Sequence, residues 1–119
     1  TDDFHKFFSD RGLTNKIGFG STEFHVLRPK ASDDRDYLFY LSMMGGLRRK
    51  AKQLMTGSAG QKRVPSDFFD FYKVKFPDIT QRIFIGRQMT LIDQKIADVK
   101  NQITLIKTIK KAIINQVFG

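Results

Sequence analysis

Apolar side chains in the last third of the chain recur at positions 85, 89, 92, 96, 99, 103, 106, 113 and 117. The steps alternate four and three as far as Ile106, then run seven and four, because Lys110 occupies the position between. A seven-residue repeat kept up over four heptads predicts a coiled-coil helix. Its seam is Ile85, Met89, Ile92, Ile96, Val99, Ile103, Ile106, Ile113 and Val117. Pro77-Asp78-Ile79-Thr80-Gln81 supplies the start: Asp78 can accept an orphan N–H, and Gln81, three residues on, can reach back as in a capping box. No proline follows, and Gly86 is the one interior glycine. At 1.5 Å per residue such a helix spans about 60 Å.

That stripe calls for a partner. Burying an aliphatic side chain of this kind is worth about 1.5–3 kcal/mol, and the first 76 residues are too few to cover so long a rod. The natural cover is another long helix, from a second chain or from another part of the same protein. The isolated chain is expected to form a homodimer. Isoleucine at both seam positions leaves a higher oligomer open. Lys110 resists burial against a like partner and is expected to fix orientation.

The first 76 residues have a different texture. Thr22, Phe24 and Val26 fall on one face of a strand over 20–28, ended by Pro29. Ser32, Asp33 and Asp34 make a polar turn with N-cap chemistry. An apolar helix is expected over 37–44, stopped by Gly45-Gly46. A basic helix follows over 47–55, with Leu47, Ala51, Leu54 and Met55 on one face. Residues 56–65 read as a flexible loop. Ser66 can cap one turn holding Phe68 and Phe69, and Tyr72-Lys-Val-Lys-Phe76 alternates as a half-buried strand. Phe4, Phe7 and Phe8 could mark a helix face, though no cap or period fixes one. The expected fold is α+β: a recognition-sized module over 1–76, then a coiled-coil helix over 77–119.

Charge narrows the partners. Twenty-one Lys and Arg oppose twelve Asp and Glu, for a net +9. An excess of this size suits a polyanion. There is no cysteine, so disulfide and thiolate chemistry are excluded; this is compatible with a cytoplasmic protein. No stretch approaches the eighteen apolar residues of a membrane span, and no signal peptide is visible. The chain opens on Thr1, as a fragment, a recombinant piece or a processed product would.

Signals for catalysis are nearly absent. His5 and His25 stand twenty residues apart with no carboxylate pattern beside them, so they read as surface or strand histidines and no metal is expected. Thr56-Gly-Ser-Ala-Gly-Gln-Lys-Arg63 lacks the Gly-Lys-Ser/Thr ending of a phosphate loop. No cofactor is expected. The densest constellation is basic: Arg48, Arg49, Lys50 and Lys52 on one short helix, then Ser58, Gln61, Lys62 and Arg63 on a glycine loop that permits close backbone approach. Lys and Arg supply phosphate contacts, while Arg and Gln can read base edges. These eight residues are the candidate DNA-binding set, with Gln61 and Arg63 the base readers. The rival reading is a solvated basic helix beside a surface loop. The aromatics at 37–40 and 68–72 are expected in the core rather than as stacking platforms.

Several segments, taken in order, resemble the specificity subunits of type I restriction-modification systems. They are Gly20-Ser-Thr-Glu-Phe-His-Val-Leu-Arg-Pro29, Asp36-Tyr-Leu-Phe-Tyr-Leu41 and Met55-Thr-Gly-Ser-Ala-Gly-Gln-Lys-Arg-Val-Pro65. Phe76-Pro77, Gln81, Leu91-Ile-Asp-Gln-Lys-Ile96 and Leu105-Ile-Lys-Thr-Ile-Lys-Lys111 follow. The resemblance covers about residues 18–119. It implies a non-catalytic subunit in which two target-recognition domains each read half of a split site on double-stranded DNA. Two long helices pair antiparallel between those domains. Modification subunits that methylate adenine dock on the scaffold, and restriction subunits cleave with ATP. A rod of about 60 Å exceeds the ~34 Å of one DNA turn, so it can separate two readers. Where the family carries Glu before the Gln at the helix start, this chain has Thr80, and the contact of that carboxylate is not expected here. The recognition part is short, as in a C-terminal remnant or a half-length subunit that dimerises. A competing class is a coiled-coil interaction protein that binds no DNA of its own.

Overall fold

A computed structural model describes residues 15, 17–58 and 60–119. His5, Phe4, Phe7 and Phe8 lie outside the described residues. The elements run in the order of a 3-10 turn at Ser32–Asp34, α1 (Arg35–Ser42), α2 (Gly45–Gln53), α3 (Phe68–Phe71) and α4 (Ile79–Phe118).

The described chain is helical, with no strand among the described residues. The α+β expectation is therefore corrected at both of its strands. Alternation marks a segment with one apolar side, but a strand also needs a neighbour offering backbone donors and acceptors. Over 20–28 the chain instead begins with a turn: Phe24 N–H donates to the Ser21 carbonyl at 3.1 Å, and Glu23 N–H donates to Ser21 Oγ at 3.2 Å. A hydroxyl that captures a nearby N–H competes with ladder formation. Over 72–76 the chain faces a helix rather than a strand. The Tyr37 hydroxyl of α1 donates to the Lys75 carbonyl at 2.8 Å.

The helix break also moves by two residues. Gly45 and Gly46 open α2 instead of closing α1. The turn falls at Met43 and Met44, where Met44 is extended. Ser42 Oγ donates back to the Phe39 carbonyl, taking an acceptor of the last turn.

Two small packing centres result. In the first, Ala51, Val64 and Phe68 are buried, with Leu47, Leu54, Met55 and Tyr72 packed around them. The apolar face of α2 expected from the sequence thus closes on the chain that follows the 56–63 loop. Phe68 is fully buried, with rings of Phe69, Phe71 and Tyr72 at 5.3, 5.7 and 5.1 Å. Its burial contributes about 1.5–3 kcal/mol. Phe69 and Phe71 themselves remain exposed, so only part of the aromatic run is core.

In the second centre α1 lies on the first turns of α4. Asp78 caps α4 as the sequence predicts, its carboxylate accepting from Gln81 N–H at 3.0 Å. Gly86 has a packing reason: a Cβ there would stand 2.8 Å from Asp36 Cβ and 3.1 Å from the Tyr37 nitrogen. Only a residue without a side chain lets the two backbones come this close. Arg82 ties the turn before α1 to α4 through Asp34, and its guanidinium sits 4.0 Å from the centre of the Phe76 ring. Further along, the Tyr40 hydroxyl donates to Asp93 Oδ2 at 2.5 Å.

Beyond Asp93, α4 stands clear of the other described elements. Every residue from Leu91 to Gly119 is exposed. No helix among the described residues is long and apolar enough to cross a membrane.

Candidate nucleic-acid interface and the uncovered helix face

The eight polar candidates sit on α2 and on the loop that follows it. Arg49, Lys50 and Lys52 are exposed and Arg48 is half-buried. With Leu47, Ala51 and Leu54 turned to the core, Arg48, Arg49 and Lys52 share the outer arc of α2, at 100° per residue. Lys50 and Lys52 also lie in the last turn, where cations complement the carbonyl end of a helix.

Backbone hydrogen bonds join several described residues of the loop. Thr56 and Arg63 form an isolated antiparallel bridge, Thr56 N–H donating to the Arg63 carbonyl at 3.0 Å and Arg63 N–H to the Thr56 carbonyl at 2.9 Å. Inside it, Gln61 N–H donates to the Ser58 carbonyl at 3.0 Å. Gly57, at φ +127°, lies where a Cβ would come within 2.6 Å of the Gln61 carbonyl oxygen. Ser58, Gln61 and Lys62 on this loop are all exposed.

Arg63 is oriented by a residue that is not among the DNA-binding candidates read from the sequence. Its Nη1 donates to Glu23 Oε2 at 3.2 Å, with both side chains substantially exposed. Glu23, Thr56, Gly57, Ser58, Gln61 and Arg63 line one shallow groove at the base of the loop. The Glu23 segment is held beside the loop by His25, whose Nε2 donates to the Val64 carbonyl at 2.6 Å and whose ring meets Phe69 edge-on at 5.0 Å. His25 is thus a satisfied packing residue. No spacing rule could link Glu23 to Arg63, because they are 40 positions apart.

Among the described residues no group of three or more His, Cys, Asp or Glu could hold a metal ion. The Arg82 guanidinium has its pKa raised by its hydrogen bond to Asp34, against the opposing effect of desolvation. That perturbation is structural in origin and lies where α1 meets α4, away from the basic loop.

The second feature is the seam. Ile92, Ile96, Val99, Ile103, Ile106, Ile113 and Val117 are between 40% and 65% exposed. Ile85 and Met89, nearest α1, are 39% and 38% exposed. Arg82, Gly86 and Asp93 form the stripe that meets α1 and the turn before it. At 3.6 residues per turn that stripe lies roughly a quarter turn away from the seam. The docking of α1 therefore leaves the seam exposed from Ile92 onward, with Ile85 and Met89 partly covered.

Comparison with known proteins points one way. The type I restriction enzyme EcoEI specificity subunit of Escherichia coli is 40% identical over 96 residues, a match covering 71% of this chain and 15% of that protein. The EcoAI specificity subunit of the same organism is 42% identical over 88 residues, covering 70% of this chain and 15% of that protein. The chain thus matches about a seventh of the length of these relatives. No family model matches the chain, and no solved structure does. Over most of its length this chain is a homologue of a segment of type I restriction enzyme specificity subunits.

Proposed function

We propose that the chain acts as the DNA sequence-recognition component of a type I restriction-modification complex, non-catalytic in itself. Residues 1–76 form part of a target-recognition domain, and 77–119 form the spacer helix. The observation that carries this reading is the identity of 40% over 96 residues to a protein named as a specificity subunit. Two structural features support it: a basic helix followed by a polar loop closed by the Thr56–Arg63 bridge, and a 40-residue helix whose apolar stripe is exposed.

In this reading Arg48, Arg49, Lys50, Lys52 and Lys62 neutralise phosphates of double-stranded DNA, Ser58 lies on the same DNA-binding loop, and Gln61 and Arg63 face base edges. The seam pairs with a second long helix, supplied in the isolated chain by a second copy. Modification and restriction subunits bring the methyl transfer and the cleavage.

The test is duplex binding across a salt series, with the combined variant Arg49→Glu and Lys62→Glu. The affinity is expected to fall, and the slope of log K against log salt to flatten by about 0.9 for each phosphate that is no longer neutralised. A chain that binds no duplex at low salt, yet still self-associates, would instead be an interaction protein.

A further inference from the structure

We infer that Glu23 is a specificity-determining residue of the DNA-reading groove, accepting from an exocyclic base amino group while it positions Arg63; this rests on the DNA-recognition reading above. A surface meant only to hold phosphates gains nothing from a carboxylate, which repels the backbone it should attract. Yet Glu23 stands 3.2 Å from Arg63 and lines the same groove as Thr56, Ser58 and Gln61.

That groove carries acceptors as well as donors. Arg63 offers a guanidinium, Gln61 an amide, Thr56 and Ser58 hydroxyls, and Glu23 a pure acceptor. Base edges in the major groove present the matching alternation: guanine shows two acceptors, and its paired cytosine shows an N4 amino donor. An arginine and a glutamate side by side are complementary to such a pair, with Arg63 on guanine and Glu23 on cytosine.

The geometry also gives Glu23 a positioning role. Arg63 is anchored at its backbone by the bridge to Thr56, but its guanidinium is exposed and is held by Glu23. An exposed pair of this kind contributes little to stability. Its effect on the direction of the guanidinium is a separate matter, and one that base reading would use.

The experiment is selection from a randomised duplex library by the full chain, repeated with Glu23→Ala and Glu23→Gln, with thermal melting as a control on folding. The unaltered chain is expected to enrich a sequence containing a G·C pair. Glu23→Ala is expected to lose about tenfold in preference at that pair, while binding to random duplex stays equal or rises with the removal of a negative charge. Glu23→Gln is expected to move the preference toward adenine, which an amide reads bidentately. A merely structural Glu23 would leave the enriched sequence alone, whatever the change in melting point. An identical enriched sequence from Glu23→Ala overturns the inference and leaves DNA recognition standing. Absence of duplex binding by the unaltered chain overturns both.

Discussion

Arg82 and Asp34, 48 positions apart, meet as guanidinium fork and carboxylate: Nε donates to Oδ1 at 2.6 Å and Nη2 to Oδ2 at 3.1 Å. The same guanidinium donates through Nη1 to the Pro77 carbonyl and stacks on Phe76. One side chain thus fastens the approach to α1, the turn into α4 and the first turn of the long helix. Because Asp34 raises the Arg82 pKa above the ordinary arginine value, the arginine side of this tie is intact below the unfolded-state pKa. It is lost only as pH rises through the still higher folded value, in strong alkali.

Replacing Arg82 by Lys keeps the charge and removes the fork, since an ammonium cannot satisfy both carboxylate oxygens in one plane or stack on Phe76. The thermal midpoint is expected to fall. Asp34→Asn is expected to lower it too, and the double variant to fall about as far as the worse single one, because partners in one network are not additive. Thermal unfolding of the four proteins checks this. Strictly additive losses would show that the two residues act independently.

Gly86→Ala separates packing from propensity. In an exposed helix the change gains about 1 kcal/mol. Here the new methyl would meet Asp36 Cβ at 2.8 Å and Tyr37 backbone at 3.1 Å, and a backbone cannot swing aside as a long side chain does. Overpacking of this kind costs about 1–3 kcal/mol. The net result is expected to be a loss of up to about 2 kcal/mol, with faster amide exchange along 35–42 and α4 still helical. A stabilised protein would mean that α1 can retreat without cost.

Self-association tests the seam. Ile96→Asp with Ile103→Asp removes two side chains whose burial is worth about 1.5–3 kcal/mol each, so the association constant is expected to drop by at least about a hundredfold. Lys110→Ile completes the repeat and is expected to tighten association by about tenfold, because a polar seam residue secures register at a cost in stability. Sedimentation equilibrium at micromolar concentration reads both. Should the unaltered chain sediment as a single copy there, the homodimer is excluded.

What was legible in the residues is what depends on periodicity. The α4 helix follows from spacings of three, four and seven, which are local consequences of 3.6 residues per turn, and its start from the cap chemistry of Asp78. The apolar face of α2 was legible for the same reason, and Leu47, Ala51 and Leu54 do turn to the core. The uncovered state of the seam was also implied, because too little chain precedes it to wrap a rod of about 60 Å.

Only the tertiary structure could decide whether 20–28 and 72–76 were strands. Alternation describes one segment, whereas a ladder is a relation between two, and here the neighbours are the Val64 carbonyl and the Tyr37 hydroxyl. It alone brought Glu23 to Arg63, supplied the reason for Gly86 and joined Asp34 to Arg82. Those pairings span tens of residues, and no local period encodes which distant side chains will meet. The helix was written in repeats along the chain, but the groove beside the basic loop exists only once the chain has folded back on itself.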